Sequence, residues 1–367
     1  MADVGDVLAQ QVEILDFFGS PGPLDEGYED EEEEADLEPF FFDEAEAVAD
    51  HQRRLLREEE AFRQEQLVKY RFDRVTSYDP KQGGLYYTRF GFYDLATFDP
   101  EEESPLGPMR HTDAVYEGGN DAEVYLYPGI NILSVKIVTL DDLKFPIHVY
   151  GTVVARDSVD CKCVYLFRRD EDHCQVINSE SESLILDGPK RGLVLVDDAH
   201  VEIDLKIKDP QWGSDIELSK GFVLVRSINR RLKNVVESKS LESRLSTVEV
   251  TYAVVKDAVE ATIAIEVLGG KFNGEITAYT TSIPDRLVLH DGKVAGKRGG
   301  YGKGTIQLSR SVVTVDIKDM LKISAETGDG KFERTIDFTP RVNSWDEDVI
   351  TVGATRMHVK VTWSIIY

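Results

Sequence analysis

The chain has 367 residues, enough for two ordinary domains and a tail, and its formal net charge is −26 at pH 7. The charge is uneven, because residues 1–60 hold 21 Asp and Glu but only 3 Arg, and the rest of the chain is close to balanced. This balance argues against a nucleic-acid-binding body. No signal peptide, long apolar run or cysteine framework is present, so we expect a cytoplasmic or nuclear protein that is not secreted and binds no membrane.

Residues 1–42 are predicted to be a disordered acidic tail. Residues 29–34 are all acidic, so this run repels itself and resists burial. Phe40, Phe41 and Phe42 follow shortly after it. These three aromatic residues either act as a short docking motif or pack on the helix that comes next.

Residues 43–74 are predicted to be a helix. Asp43 or Asp50 supplies negative charge at its N-terminal end. The apolar stripe is thin and the polar face is wide, which fits either a short coiled coil or partner-binding helix, or a charged helix on the surface of the body. The stripe consists of three residues that recur every seven positions: Val48, Leu55 and Phe62.

Residues 75–129 are predicted to be an aromatic-rich connector with many turns. Such aromatics either stack on nucleic acid bases or form an extended arm whose rings cover a sheet, and we favour the arm. The aromatic residues are Tyr86, Tyr87, Phe90, Phe92, Tyr93 and Phe98.

From residue 130 onward the apolar residues alternate with a period of two. Val149, Gly151 and Val153 are one example, and β-branched residues dominate such runs. Gly- or Asp-bearing turns separate the runs, and no long helical period intervenes. The pattern predicts an all-β fold of antiparallel strands.

A strand-like phrase occurs three times, beginning at Val135, Val248 and Val359, in steps of 113 and 111 residues. We therefore predict two tandem antiparallel β-sandwich units related by internal duplication, residues 130–256 and residues 257–367. One larger merged sandwich is the alternative.

Two further pairs of segments resemble each other at a similar spacing along the chain. Residues 184–188 resemble residues 287–292, and residues 201–206 resemble residues 313–318. On this alignment His148 lies opposite Glu260, and His200 lies opposite Val312. Because the residue opposite each histidine is not a histidine, the repeated fold does not require a histidine at either position. We therefore predict no catalytic residues and a chain that is not an enzyme.

Metal and cofactor sites are also not expected. Cys161 and Cys163, with His173 and Cys174, are a candidate metal cluster, but Cys-x-Cys is not the usual zinc spacing. We interpret them as ordinary half-buried residues, and we predict neither a metal nor a cofactor.

Two glycine-flanked loops carry adjacent cations, Lys190-Arg191 and Lys297-Arg298. Glycine lets such a loop turn tightly, and two neighbouring cations can hold an anion. We predict anion binding at these four residues, with a solubilising loop as the alternative. The acidic residues of segment 25–38 are one candidate for masking them.

Whole phrases of the chain resemble a large uncharacterised family of grass proteins, a domain of unknown function. The phrases are residues 78–84, 104–110, 151–157 and 337–342. The resemblance covers about residues 75–367. Some members of that family are fused to a ribosome-inactivating domain, which implies a link to defence or stress. The glycosidase constellation, a helix carrying Glu-Ala-x-Arg with a nearby Trp and two pocket tyrosines, is not expected here.

We therefore predict a non-enzymatic protein-interaction module with an unidentified protein partner. The alternatives are a relative of the ribosome-inactivating rRNA N-glycosylases, and a carbohydrate- or anion-binding β-sandwich. For carbohydrate binding, Trp212, Trp345 and Trp363 are the candidate platforms.

Overall fold

The computed structural model describes residues 43–79, 83–91, 94–114, 125–208, 215–228, 234–293 and 304–367. The predicted acidic tail lies outside the described residues, as do Trp212, Lys297 and Arg298. The described residues divide into two compact units, one within residues 1–87 and 91–99, the other within residues 88–90 and 100–367.

The first unit is built on one long helix, α1 (Glu44–Val75), which confirms the predicted helix. Asp43 is its N-cap, and one carboxylate oxygen accepts hydrogen bonds from the backbone N–H groups of Ala45 at 2.9 Å and Glu46 at 3.3 Å. Among the described residues, no helix has the length and apolar character needed to cross a membrane.

After the helix the chain turns back in a short hairpin, β1 (Thr76–Asp79) with β2 (Gly84–Tyr87). The connector prediction missed these strands because each has only four residues, too few to show an alternation. The end of α1 packs within this unit: Phe72 meets Tyr87 edge to face at 6.5 Å, and the Arg71 guanidinium donates to the Leu95 carbonyl oxygen at 2.8 Å.

The second unit contains two β-sandwiches in tandem. In the first sandwich, one sheet has the order β10-β11-β3-β7 and the other has the order β5-β4-β8-β9, with β6 beside β4. Its strands are β3 (Gly129–Leu140), β4 (Ile147–Arg156), β5 (Val164–Arg169), β6 (Gln175–Ile177), β7 (Leu193–Val194), β8 (Ala199–Lys208), β9 (Asp215–Val225), β10 (Val235–Glu242) and β11 (Ser246–Val255).

In the second sandwich, one sheet has the order β15-β12-β20-β19, with β16 also beside β12, and the other has the order β14-β13-β17-β18. Its strands are β12 (Ala258–Gly269), β13 (Gly274–Thr280), β14 (Leu287–Asp291), β15 (Gly304–Thr305), β16 (Val312–Asp316), β17 (Leu321–Thr327), β18 (Glu333–Phe338), β19 (Trp345–Val352) and β20 (Thr355–Ile365).

The two sandwiches have the same strand order. β10-β11-β3-β7 corresponds to β19-β20-β12-β16, and β5-β4-β8-β9 corresponds to β14-β13-β17-β18. All these pairings are antiparallel, and each sandwich has its own apolar core. The predicted all-β fold is therefore confirmed, with internal duplication visible in the topology.

The predicted residue offset, in contrast, holds for only one of the matched phrases. The phrases at Val248 and Val359 lie in equivalent strands, β11 and β20, but the phrase at Val135 lies in β3, the neighbour of β11. Residues 201–206 lie in β8, whose counterpart is β17, whereas residues 313–316 lie in β16. Alternating Val-x-Val patterns are common to all strands of a sandwich, so they match each other in several registers.

Backbone hydrogen bonds give the true correspondence. The Leu184 N–H donates to the Val135 carbonyl at 2.8 Å, and the Ile306 N–H donates to the Ile265 carbonyl at 2.8 Å in the same place of the second sandwich. Residue 184 therefore matches residue 306 rather than 287. The comparison of His148 with Glu260 also fails, because these residues lie in β4 and β12, which are not equivalent.

Polar bonds and apolar contacts join the two sandwiches. The Asn131 side-chain amide on β3 donates to the Thr314 carbonyl at 2.7 Å, and its oxygen accepts from the Thr314 N–H at 2.9 Å. Asn131 thus occupies the edge of β16 as another strand would. A small cluster of buried apolar residues fills the junction: Val194, Ala253, Val255, Ala258, Ile283 and Ile366.

A buried cation lies at the same junction. Arg310 donates through Nη2 to the Ile132 carbonyl at 2.7 Å, and its Nε has no hydrogen-bond partner among the described residues. Burial lowers the pKa of Arg310 to about 10, because the charged guanidinium is removed from water.

We predict that Gly151→Ala strongly destabilises the second unit. Gly151 has φ +115°, and a Cβ there would lie 2.2 Å from the Asp204 carbonyl oxygen of the neighbouring strand. The free energy of unfolding in urea should fall by more than about 2 kcal/mol. Gly107→Ala is the control, because a Cβ there meets no heavy atom within 4 Å. Equal stability of the two variants would contradict the close approach of β4 and β8.

Candidate functional site

Residues 100–114, which we call the strap, run from the first sandwich to the second. Near its start the Ser104 N–H donates to the Cys163 carbonyl at 2.9 Å. Near its end the Ser344 N–H of the second sandwich donates to the Thr112 carbonyl of the strap at 3.1 Å. The predicted connector is thus an ordered segment over residues 100–114.

Glu202 on β8 is the first of two buried glutamates that hold this part of the chain. Its Oε1 accepts from Arg156 Nε at 2.6 Å and from the Phe90 N–H at 2.8 Å. Its Oε2 accepts from Arg89 Nε at 3.0 Å and from Arg156 Nη2 at 3.1 Å. Both arginines also donate to the Pro100 carbonyl, the first residue of the strap. Two cations and one anion are therefore buried together, each with hydrogen-bond partners.

The charges around Glu202 set the protonation of its neighbours. Burial opposes the charge of Arg89, but the carboxylates of Glu202 and Glu101 outweigh it and raise the pKa of Arg89 above its ordinary value. His200 packs between the rings of Phe90 and Phe222, and burial lowers its pKa below the ordinary value. The arm prediction therefore holds for Phe90, whose ring covers a residue of the sheet.

Arg191, one of the predicted anion-binding residues, lies in a second buried network. It is 0 % exposed, and Asp157 binds its guanidinium through both carboxylate oxygens, at 2.7 and 2.9 Å. Asp160 accepts from the same guanidinium at 3.2 Å and also accepts from the Ser104 hydroxyl of the strap at 2.6 Å. Burial opposes the charge of Arg191, but the hydrogen bond and charge of Asp157 raise its pKa.

Glu260 on β12 is the second buried glutamate and belongs to the second sandwich. It is 3 % exposed. Its Oε1 accepts from the Met109 N–H of the strap at 2.6 Å, and its Oε2 accepts from the Gly192 N–H of the first sandwich at 2.6 Å. One carboxylate therefore binds the strap and both sandwiches.

The strap also carries three consecutive glutamates that pair with cations, one of them the buried Arg89 and the others more exposed. Glu101 pairs with Arg89 at 2.5 Å, and Glu102 pairs with Lys162 at 2.5 Å. Glu103 pairs with Lys190 and, at 3.5 Å, with Arg168.

Of the four predicted anion-binding residues, Lys190 is therefore an exposed side chain paired with Glu103, and Arg191 is internal. Lys297 and Arg298 lie outside the described residues, as does segment 25–38. Anion binding by this set stays a prediction.

The candidate metal residues do not converge. Within the described residues, no group of three or more His, Cys, Asp and Glu is placed to hold a metal ion. All three cysteines are free; Cys163 is buried, which raises its pKa, and Cys161 and Cys174 are partly exposed. Cys174 Sγ lies 3.6 Å from His148 Nδ1.

The alternatives to protein binding depend on particular side chains. Trp363 is fully buried in the second core, and Trp345 is half exposed beneath the Lys360 ammonium, which lies 5.0 Å from the ring centre.

The tetrapeptide Glu-Ala-x-Arg of the glycosidase alternative occurs once, at residues 60–63 in the middle of α1, where all four residues are exposed. It is therefore not surrounded by a pocket.

Sequence reasoning missed Glu202 and Glu260, the residues that organise this region. Each lies between apolar residues in a strand that is buried on both sides, as in Val201-Glu202-Ile203 and Val259-Glu260-Ala261. A charged residue in such a position indicates a buried charge with specific partners. A glutamate flanked by apolar strand residues is therefore the sequence pattern that could have identified both positions.

A family model described as "Domain of unknown function (DUF6598)" matches residues 129–361, more than half of the chain. The chain belongs to the DUF6598 family. This confirms the resemblance to an uncharacterised family, while the restriction to grasses and the ribosome-inactivating fusion stay predictions. The DUF6598 region spans both sandwiches and begins at the first residue of β3. Comparison with curated proteins finds no match.

Two solved structures are similar to this DUF6598 protein at a low level. One is "Extended-Synaptotagmin 2, C2A- and C2B-domains", 8% identical, with a TM-score of 0.23, covering 69% of this chain and 97% of that one. The other is human GIVD cytosolic phospholipase A2, 11% identical, with a TM-score of 0.19. The latter match covers 64% of this chain but only 32% of the phospholipase.

We predict that Glu260→Ala destabilises the second unit. The variant leaves the buried N–H group of Gly192 and the partly buried N–H group of Met109 without the carboxylate acceptor, which should cost about 3 kcal/mol of the free energy of unfolding. Urea denaturation measures it. Glu266→Ala is the matched control, because Glu266 is exposed on the same strand. Equal effects of the two substitutions would contradict the role of Glu260.

A second prediction concerns the pH dependence of stability. Because burial lowers the pKa of His200, the unfolded chain binds the proton more tightly than the folded chain. The stability that neutral His200 contributes is present above about pH 6.5 and is lost as pH falls through its folded pKa. His200→Phe should therefore reduce the loss of stability between about pH 7 and pH 5, measured by thermal unfolding. Identical pH profiles would show that the pKa of His200 is the same in the folded and unfolded states, and would contradict the effect of burial.

Proposed function

We propose that the chain is a non-enzymatic interaction protein that associates through α1, and that the partner of α1 is a second copy of the same helix. The observation that carries this proposal is the exposure of the apolar stripe. Leu56 and Phe62 are 62% and 61% exposed, and Val48 and Leu55 are about half exposed. The stripe from Val48 to Phe62 is about 21 Å long within the 32-residue helix, and exposing its apolar side chains to water is unfavourable.

Charge complementarity favours an antiparallel pair of helices. Glu44 and Glu46 lie in the first turn of α1, and Lys69 and Arg74 lie near its end. Side by side in opposite directions, the acidic end of one helix meets the basic end of the other. The heptad spacing of Val48, Leu55 and Phe62 is typical of a coiled-coil seam. A parallel pair would align like charges instead.

The buried charges of the second unit support a scaffold rather than a reaction centre. Glu202 and Glu260 each accept hydrogen bonds from backbone groups that they hold in place, and Asp157 is committed to Arg191. Such carboxylates stabilise the fold. A link to defence or stress rests on the resemblance to grass proteins alone and belongs to this proposal.

The test is the mass of the chain in solution, measured by light scattering over a range of concentrations. The wild type should reach twice the chain mass of 41.3 kDa. Leu55→Glu combined with Phe62→Glu should be monomeric, because each helix then places two carboxylates in the seam against those of its partner. Both side chains are exposed in the single chain, so the variant should keep its thermal stability at low concentration.

The control is Arg57→Gln combined with Gln64→Glu, which changes the net charge by the same amount on the opposite side of α1. This variant should still form dimers. A monomeric wild type, or dimers formed equally by the stripe variant, would overturn the proposal.

A further inference from the structure

A groove of about 670 Å³ opens at one end of the second sandwich, away from the strap and its buried glutamates. It lies between two hairpins, the one that joins β17 to β18 and the one that joins β19 to β20. Its lining consists of Phe332, Arg334, Thr351, Gly353 and Ala354. A groove of this size is in the range that holds a small molecule.

Phe332 forms the apolar wall of the groove. Its side chain is 53% exposed. Its backbone is fixed by the hairpin, because the Phe332 N–H donates to the Thr327 hydroxyl at 3.2 Å and the Thr327 N–H donates to the Phe332 carbonyl at 2.9 Å. The ring lies against the opposite turn, since a Cβ at Gly353 would be 3.5 Å from it.

Arg334 supplies a cation at the same place. Its cross-strand partner is Ala325, a residue of the apolar core, so the Arg334 side chain leaves β18 on the inner side of the sheet, at the open margin of the sandwich. Among the described residues no carboxylate lies within ion-pair distance of it, and its one hydrogen bond is a long one, 3.5 Å to the Glu333 carbonyl.

The neighbouring charges are already paired. Glu333 accepts from Arg286 at 2.8 Å, and Asp329 pairs with Lys331 at 3.1 Å. The Arg334 guanidinium has no carboxylate partner and lies beside an exposed aromatic ring. In a chain with a net charge of −26, this arrangement is a candidate binding site for an anion. The planar guanidinium fits a carboxylate through two parallel hydrogen bonds.

We propose that this groove binds a small apolar carboxylate, with Arg334 on the carboxylate and Phe332 against the apolar part. The site is independent of the association through α1. Because the groove is open to water, the ion pair contributes modestly, and most of the affinity comes from apolar contact with Phe332.

The test uses 4-phenylbutyrate and its uncharged amide as probes on the ¹⁵N-labelled full chain. Backbone amide shifts of Phe332, Gly353 and Ala354 report binding. The carboxylate should bind about fivefold more tightly than the amide, the upper range for an exposed ion pair. Arg334→Met should abolish this difference, and Phe332→Ala should weaken both probes.

The matched control is Arg286→Met, which removes an arginine that is already paired with Glu333 and stacked on Tyr279. It should leave the preference for the carboxylate unchanged. Absence of shifts at the groove, equal binding of the two probes to the wild type, or an unchanged preference in Arg334→Met would each overturn the proposal.

Discussion

The carboxylate of Glu260 is the interaction on which the arrangement of the second unit depends. It stands on β12 of the second sandwich and accepts backbone hydrogen bonds of 2.6 Å from Gly192 in the first sandwich and from Met109 in the strap. Apolar contacts at the junction have no direction, whereas these two bonds fix three segments at one point. Asn131 and Thr314 add a second directional contact between the sandwiches.

The buried charged groups of this protein fix the path of the strap across the first sandwich. Burying an ion pair is costly, and an apolar pair of the same volume is often at least as stable. The Glu202 and Asp157 networks nevertheless satisfy each charged group with several partners, and both include atoms of the strap or the residues before it. Removing one partner leaves an uncompensated buried charge. The strap thus has a single well-defined path across the first sandwich.

Some of this structure could be predicted from the sequence, because it depends on local periodicity. The helix from Glu44 follows from its helix-forming residues and from Asp43 at its N-terminus, and the strands follow from alternation of apolar residues. The register of the duplication could not be predicted, because strands of different position share the same Val-x-Val pattern. The ordered path of residues 100–114 depends on Glu202, Asp160 and Glu260, which are far away in sequence. Lys190 and Arg191 are adjacent in the chain, but one is exposed and the other is buried, and only the position of Asp157 explains that difference.

The central claim is that Glu260 makes the strap and the two sandwiches one cooperative structure. Hydrogen exchange of individual backbone amides in the native chain tests it most directly. The account predicts that the N–H groups of Met109 and Gly192, although outside the strands, exchange as slowly as the core amides of β12. It also predicts that Glu260→Gln speeds the exchange of both, because the amide keeps one neutral, weaker acceptor oxygen and turns an NH2 donor towards the other N–H group. Rapid exchange of Met109 in the wild type, at the rate of an exposed loop, would contradict the account.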